Sequence, residues 1–304
     1  MSTILKFLQK RATNGLLPWV TQSAAAEQFG CSHAAVEELA LENGIFPARY
    51  QRNRNMLSIA DQLLLFRSRI AVIGCGGLGG YIIEGLARLG VGRIVAIDPD
   101  IFEEHNLNRQ LLSTPGTLGK AKVEAALARV NEINPAVTVT AIKEAFGTAN
   151  GHELLKGVTV AVDALDSIAY RLELAETCTE MNIPMVHGAI GGWYGHVATQ
   201  LPGDTTVQSI YRNWVAGKGI EKELGNPAFT PAVVASLQAA EVCKLILGRG
   251  ELLRNRKLSI DLLDMEVHEI SYENPVNMIH PAALQSLMEL RGKQSIPATL
   301  DASM

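Results

Sequence analysis

The feature that most constrains the fold is a strand, glycine turn, helix and strand in succession between residues 69 and 98. Arg69–Ile73 is a short, mostly β-branched run and predicts a buried strand. Gly74–Gly79 reads G-x-G-x-x-G and opens an apolar-periodic segment that predicts a helix. A second strand, Ile94–Ile97, ends on Asp98, so an acidic residue follows the glycines by about 20 residues. This order predicts a βαβ unit that binds a nucleotide.

Each residue type in the unit suits that ligand. Glycines let the backbone turn tightly and approach a phosphate, and the start of the helix offers unpaired N–H groups and a positive dipole end. The carboxylate of Asp98 can accept hydrogen bonds from ribose hydroxyls. Glycine-rich turns also occur in α/β folds that bind nothing, and the unit alone does not separate a dinucleotide from ATP. The glycines that form the proposed cradle are Gly74, Gly76, Gly77 and Gly79.

Composition narrows the class of protein. A chain of 304 residues with 47% apolar and 19% charged residues fits a globular protein of one large or two modest domains. The net charge of −4 gives no general reason to bind nucleic acid or an anionic membrane. No apolar run reaches the roughly 18 residues of a membrane span. Four scattered cysteines without a C-x-x-C pair argue against a cysteine zinc site and against a disulfide framework, and favour a cytoplasmic location.

The chain divides into three predicted parts. Residues 1–48 form a helical extension whose helix, glycine turn and helix resemble a helix-turn-helix, but its second helix is acidic. That acidity argues against DNA and favours a docking or dimer-supporting lobe. Residues 49–275 form the nucleotide-binding domain, and residues 276–304 a C-terminal helix and tail. Strands predicted at 137–142, 158–162 and 185–187, followed by strands at 197–201 and 207–211 and a hairpin of strands at 258–263 and 267–272, indicate an α/β fold. We expect a Rossmann-like, doubly wound, mostly parallel sheet continued by antiparallel strands.

Polar side chains gather where the predicted parallel strands end. Asp100, Asn106 and Arg109 lie in a loop after the second strand, at the sheet edge where open α/β sheets bind ligands. Lys122 lies in the first turn of the next helix, where the helix dipole disfavours a cation, and this hints at a nearby anion. Asp166 follows the strand at 158–162 and is a candidate metal or ribose ligand. The alternative for Asp166 is an ordinary cap for the helix that starts near residue 168.

Several ordered motifs then resemble the ThiF/MoeB/HesA family, the bacterial relatives of ubiquitin-activating enzymes. The resemblance runs from about Arg49 to Tyr272. It rests on R-Y-x-R-N at 49–53, G-C-G-G-L-G-G at 74–80, I-D-P-D at 97–100, N-L-N-R-Q at 106–110, G-K-A-K at 119–122, D-A-L-D-S at 163–167 and S-L-Q-A-A-E at 236–241.

The resemblance implies a function. Such enzymes use ATP and Mg²⁺ to adenylate the C-terminal glycine of a small ubiquitin-like sulfur carrier of the MoaD or ThiS type. These carriers end in Gly-Gly and serve molybdenum or tungsten cofactor or thiamine biosynthesis. Residues 49–275 would then be the ATP-binding adenylyltransferase domain, working as a homodimer.

The resemblance also assigns roles to residues. Asp98 would hold the ribose, with Asp100 beside it, and the glycine turn would pass close to the nucleotide. Arg52 would reach the triphosphate from the other subunit. The remaining catalytic and nucleotide-binding residues would be Asn106, Arg109 and Lys122, on the phosphates, and Asp166, on magnesium.

Two departures from the family sharpen the prediction. The chain lacks the two C-x-x-C pairs that hold structural zinc in many members, and it lacks a cysteine at 216–230, where thioester- or persulfide-forming relatives carry one. We therefore expect adenylation without a covalent enzyme–carrier intermediate. The alternatives are adenylation of a peptide or a modified tRNA, an NAD-dependent Rossmann oxidoreductase, and a non-catalytic scaffold. An oxidoreductase would explain Gly74–Gly79 and Asp98 but not the cations.

Overall fold

The fold is a layered α/β structure around a large sheet. A computed structural model describes residues 3–214 and 224–272. The strands are β1 (Leu16–Leu17), β2 (Phe46–Pro47), β3 (Arg69–Ile73), β4 (Arg93–Ile97), β5 (Thr138–Ile142), β6 (Val160–Asp163), β7 (Met185–Gly191), β8 (Tyr194–Gln200), β9 (Arg256–Asp261) and β10 (Glu266–Ser271). The helices are α1 (Thr3–Arg11), α2 (Trp19–Phe29), α3 (His33–Glu42), α4 (Ile59–Arg67), α5 (Gly77–Leu89), α6 (Lys122–Ile133), α7 (Gly151–Leu154), α8 (Ile168–Glu180), α9 (Thr206–Ile210) and α10 (Phe229–Leu247).

The order of the strands confirms the predicted fold class. Within the described residues the main sheet runs β10-β9-β8-β7-β6-β3-β4-β5. The five strands from β7 to β5 are parallel, and β8, β9 and β10 continue the sheet antiparallel. The chain therefore starts the parallel sheet in its middle, at β3, and winds outward first through β4 and β5 and then through β6 and β7.

Helices cover both faces of the parallel strands. Ile70 and Val72 of β3 face a core with α5, α6 and α10, whereas Ala71 and Ile73 face a second core with α7, α8 and α9. Burial on both faces explains why the central strands β3, β4 and β6 are nearly continuous apolar runs, whereas the edge strand β5 is not. Because the crossover helices change face between β3 and β6, a crevice opens at the carboxyl ends of those two strands.

The longest described helix, α10, belongs to the first core. By length and composition it is the single helix among the described residues that could span a membrane, and 61% of its apolar window is buried inside the protein. Val234 and Val242 lie in the same cluster as Ile82 and Ile83 of α5. This is the burial of a core helix packed against the sheet.

The helical N-terminal segment has a small core of its own. Buried hydrogen bonds connect this segment to the nucleotide-binding domain. Leu8, Val36 and neighbouring apolar residues of α1, α2 and α3 pack together. Below them the Tyr50 hydroxyl donates to Glu37 Oε1 at 2.7 Å, and Asn134 Nδ2 donates to the Tyr50 oxygen at 2.7 Å. The division at residue 48 remains our proposal, and the predicted C-terminal helix and tail lie outside the described residues.

One predicted strand is wrong. Residues 207–211 contain Val, Ile and Tyr and were expected to extend the antiparallel strands, but Thr206–Ile210 form the short helix α9. Val207 and Tyr211 are four residues apart, so a helical turn places both on one face, where they join the core beside α8. The Val207 N–H donates to Gln200 Oε1 at 3.0 Å instead of to a strand.

Candidate active site

A cleft of about 350 Å³ lies at the carboxyl ends of β3, β4 and β6, at the point where the winding of the sheet reverses. Most of the residues that the sequence singled out lie together on its wall. They are Gly74, Gly76, Gly77, Asp98, Asp100, Arg109, Lys122 and Asp166.

The glycine turn joins β3 to α5 by a path that other residues cannot follow. Gly74 has φ +97°, and an added Cβ would lie 2.5 Å from the carbonyl oxygen of Ala164 at the end of β6. An added Cβ at Gly79 would lie 1.8 Å from the Gly74 carbonyl oxygen, so Gly79 serves close packing and does not line the cleft. Gly76 precedes α5 without a side-chain cap, which leaves N–H donors of the first turn for a ligand.

Lys122 is a buried cation held between two carboxylates. Its Nζ lies 2.9 Å from Asp100 Oδ2 and 4.0 Å from Asp98 Oδ1. Asp98 also accepts backbone N–H bonds from Cys75, at 2.7 Å, and from Asp100, at 2.8 Å. Burial raises the pKa of Asp98, and the Lys122 charge opposes that shift. Asp98 and Asp100 are thus anions within the protein itself that account for a lysine in the first turn of α6.

Of the two acids after β6, only Asp166 is free for a ligand. Asp163 is fully buried and accepts the Leu165 N–H at 2.9 Å and a hydrogen bond from His187 Nδ1 at 2.6 Å. Asp166 is exposed in the cleft, and its carboxylate makes no hydrogen bond or ion pair within the described part of the chain. Ser167, not Asp166, stands at the start of α8 and makes no side-chain cap bond.

The oxygen chemistry of Asp166 fits magnesium. Mg²⁺ is usually held by one or two carboxylates together with substrate phosphates and water, not by a cage of protein ligands. No cluster of three or more His, Cys, Asp or Glu suitable for a metal occurs among the described residues. A single open carboxylate beside a nucleotide-sized cleft matches that pattern.

Arg109 adds a positive charge to the wall of the cleft. Its Nη1 donates to the Asn108 side chain at 2.9 Å and to the His105 carbonyl at 3.2 Å. Within the described residues it forms no ion pair, so its charge is available to an anionic ligand. The guanidinium lies beside the start of α5, with Nε 3.9 Å from the position of a Cβ on Gly77.

Three predicted residues do not line the cleft: Gly79, described above, Asn106 and Arg52. Asn106 is buried, and its Oδ1 accepts the Glu103 N–H at 2.9 Å, so in this structure it shapes the loop that carries Arg109. Arg52 is exposed on the turn 48–53 and lines a separate surface depression with Arg54 and Asn55. A role for Arg52 in the cleft therefore requires a second subunit.

Sequence reasoning missed two buried residues on the cleft wall, Gln110 and Arg171. Arg171 donates to the Leu165 carbonyl at 2.7 Å and to the Tyr211 hydroxyl at 2.8 Å, and so anchors the turn before Asp166. The helix Ile168–Glu180 mixes apolar and charged residues, so its sequence gave no signal that Arg171 would be buried. The signal for Gln110 was its place directly after Arg109 in the N-L-N-R-Q motif.

Sequence reasoning also missed a buried polar network behind the cleft. His187 bridges Asp163 and His196, with the two Nε2 atoms 3.1 Å apart, and the Tyr211 hydroxyl lies 3.2 Å from His187 Nε2. Burial lowers the pKa of His187 and, further, of His196. Both imidazoles are therefore neutral at pH 7, and His187 Nδ1–H donates to the Asp163 carboxylate.

The buried cysteines are not activated. Burial raises the pKa of Cys75 and Cys178 and raises that of Cys243 to about 11. A thiol needs a lowered pKa to act as a nucleophile at neutral pH. These three cysteines are core residues.

Comparisons with known proteins bear on the family of this chain. The model of the ThiF family matches residues 50–278. The SAMP-activating enzyme E1 of Haloferax volcanii is 34% identical over 232 residues, 75% of this chain and 86% of that enzyme. The adenylyltransferase and sulfurtransferase MOCS3 of Arabidopsis thaliana is 32% identical over 231 residues, 73% of this chain, and the chain spans only 50% of that protein.

Two further matches are a tRNA-modifying enzyme and a solved structure. The tRNA threonylcarbamoyladenosine dehydratase of Bacillus subtilis is 39% identical over 141 residues, 45% of this chain and 55% of that enzyme. A crystal structure of E. coli MccB with ATP superposes with a TM-score of 0.66 at 23% identity, over 84% of this chain and 83% of that one, and this likeness shows the fold. The match to the family model and the 34% identity confirm the resemblance drawn from the motifs: the chain belongs to the ThiF family.

Proposed function

We propose that this protein uses ATP and magnesium to adenylate the C-terminal glycine of a small ubiquitin-like sulfur carrier of the MoaD or ThiS type, in the cytoplasm. The observation that carries the proposal is the cleft itself. Its wall contains the cationic side chains of Lys122 and Arg109, the unpaired carboxylate of Asp166 and the glycine turn at the start of α5. The names of the SAMP-activating and MOCS3 relatives support the same reaction class.

The chemistry needs charge neutralisation more than proton transfer. A carboxylate is already a nucleophile when it attacks the α-phosphate, and pyrophosphate leaves as an anion. Lys122 and Arg109 offset this negative charge from fixed positions, and Asp98 orients the ribose. Asp166 would hold magnesium, which supplies further positive charge to the phosphates.

A second candidate is adenylation of a peptide or a modified tRNA in the same cleft. The similarity to a tRNA dehydratase favours it. The net charge of −4 argues against a nucleic-acid substrate, since phosphate contacts dominate such binding. Hydride transfer from NAD would leave Arg109, which forms no ion pair within the described residues, without a function, whereas Lys122 pairs with Asp98 and Asp100 in any case.

The test is ATP–pyrophosphate exchange with a panel of MoaD-type and ThiS-type carriers, each present or omitted. We expect exchange with one carrier, and a loss of about 10²–10³-fold in Arg109→Ala and Asp166→Asn. Asp264→Asn is the matched control, because Asp264 lies in the exposed β9–β10 turn far along the chain from the cleft residues.

The outcomes separate the candidates. Exchange with one carrier names the pathway. If the protein binds ATP but no carrier supports exchange, the sulfur-carrier proposal is refuted, and a peptide or a modified tRNA becomes the substrate to test next. Binding of NADH but not ATP would refute adenylation altogether.

A further inference from the structure

Gln110 lines the cleft, and its side chain has a buried hydrogen-bond acceptor that nothing in the described protein satisfies. The side chain is 6% exposed and lies against the glycine turn, since a Cβ on Gly76 would be 3.4 Å from Gln110 Nε2. Its Oε1 atom is buried and has no hydrogen-bond partner among the described residues. Buried polar atoms nearly always have a hydrogen-bond partner, because an unpaired one lowers the stability of the folded protein. We therefore infer that a ligand supplies the donor for Oε1.

A second unsatisfied amide oxygen lies on the same wall. Asn226 Oδ1 is buried without a partner in the described residues, and Asn226 lines the cleft just before α10. Its backbone carbonyl accepts a hydrogen bond from Asn108 Nδ2 at 3.1 Å. This contact ties Asn226 to the loop that carries Gln110.

The chemistry of the ligands indicates which donor fits. ATP phosphates and the attacking carboxylate only accept hydrogen bonds, and we assign the ribose to Asp98 at the end of β4. The adenine amine is the remaining donor of ATP, but Gln110 lies against Gly76 at the start of α5, where the phosphates are expected to bind. A Gly-Gly tail has no side chains, so a protein recognises it through its backbone N–H and C=O groups. A neutral amide oxygen accepts an N–H without repelling the incoming carboxylate, whereas Asp or Glu at the same place would repel it.

We propose that Gln110 Oε1, assisted by Asn226 Oδ1, accepts the backbone N–H groups of the last residues of the acyl substrate. The two residues thereby select a peptide C-terminus over a small carboxylic acid and position its carboxylate. This inference rests on the proposed function and assigns both as positioning residues.

The test removes the donor from the substrate and the acceptor from the enzyme. Carriers that support exchange are made by semisynthesis with an ester in place of the last or the penultimate amide, which deletes one N–H. Full-length wild-type protein and Gln110→Met, a substitution of similar shape, are compared by kcat/KM for each carrier. Asn226→Leu is the second variant, and its half-exposed position makes misfolding less of a concern.

We expect one ester to cost the wild type about 5–10-fold in kcat/KM, the effect of one neutral hydrogen bond. Gln110→Met should lose about the same with the natural carrier and lose nothing more with that ester. The KM for ATP should not change. Gln208→Met is the matched control, because Gln208 Oε1 is also buried and unpartnered but lies on α9, outside the cleft.

Three results would overturn the inference. The ester penalty could persist in full in both Gln110→Met and Asn226→Leu, or neither ester could affect the wild type. Alternatively, Gln110→Met could raise the KM for ATP instead, which would assign Gln110 to the nucleotide. In all three cases exchange still occurs and the proposed function stands, whereas absence of exchange with every unmodified carrier defeats both.

Discussion

At the scale of single residues, Lys122 shows how a charge is kept where local structure disfavours it. A lysine in the first turn of a helix opposes the dipole, and burial adds a desolvation cost. Asp100 at 2.9 Å and Asp98 at 4.0 Å offset both costs. Such a lysine is positioned before any ligand arrives, which is the condition for electrostatic stabilisation of a transition state.

Replacing Lys122 should therefore abolish most activity. We expect Lys122→Met to slow exchange by about 10²–10³-fold, because one fixed positive charge at the phosphates is lost. The measurement is the rate of ATP–pyrophosphate exchange by Lys122→Met. The control is Lys120→Met, which removes an exposed lysine two residues earlier. Equal activity of the two variants would contradict a role for Lys122 at the phosphates.

The buried histidines predict how stability depends on pH. Burial lowers the pKa of His187 and His196 from 6.5, so the unfolded state takes up protons first as the pH falls. Above about pH 6.5 the two histidines do not lower the free energy of unfolding. Below it, the free energy of unfolding falls by up to about 1.4 kcal/mol per pH unit for each proton that the unfolded state takes up. Urea unfolding between pH 7.5 and about 5 measures this slope.

His196→Gln should flatten that slope, whereas His268→Gln, at an exposed position, should leave it unchanged. Burial raises the pKa of Glu37 and of Asp98, so protonation of these two carboxylates changes the free energy of unfolding with the opposite sign. A slope that is equal in both histidine variants would show that the network does not set the pH response.

At the scale of elements, α5 carries two glycines with opposite expected effects. A Cβ on Gly79 would overlap the Gly74 carbonyl oxygen, whereas a Cβ on Gly85 would meet nothing within 4 Å. The first glycine is required by the approach of the helix to the strand, and the second only lowers helix propensity.

We predict that Gly79→Ala destabilises the protein by at least about 3 kcal/mol, because the backbone at the strand end has to move. Gly85→Ala should stabilise it by about 0.5–1 kcal/mol through lower entropy of the unfolded chain. Urea denaturation of both variants measures the free energies of unfolding. A mild effect of Gly79→Ala would mean that the turn is not tightly packed.

The elements also show where local pattern is insufficient. The central parallel strands β3, β4 and β6 were predictable because burial on two faces demands nearly continuous apolar runs. Residues 207–211 were mispredicted because a short β-branched segment suits a strand or one helical turn equally, and packing against α8 decided between them.

At the scale of the whole molecule, Arg52 lies outside the cleft of its own chain. If it acts across a dimer, mixing two inactive variants should restore activity. Heterodimers of Arg52→Ala and Lys122→Met contain one intact site of two, so random mixing should regain about a quarter of wild-type exchange.

The control is a mixture of Asp166→Asn and Lys122→Met. Both residues line the cleft of one chain, so each site in a heterodimer lacks one of them and no activity should return. Recovery in neither mixture would argue that Arg52 does not complete the site of another subunit.

Sequence by itself determined the local chemistry of this protein. The glycine turn, the acids at the ends of β4 and β6 and the apolar runs follow from short-range rules, which is why Gly74, Asp98, Lys122 and Asp166 were foreseeable as one site. The motifs also identified the family, which the comparison confirmed.

Only the tertiary structure decided what those residues meet. Strand order brings β6 beside β3, although almost 90 residues of chain separate Gly74 from Ala164, and it is this contact that opens the cleft. Burial then distinguishes the paired Asp163 from the open Asp166 and leaves Gln110 with an unsatisfied oxygen. Solvation and pairing depend on neighbours distant in sequence, so no local pattern could have revealed them.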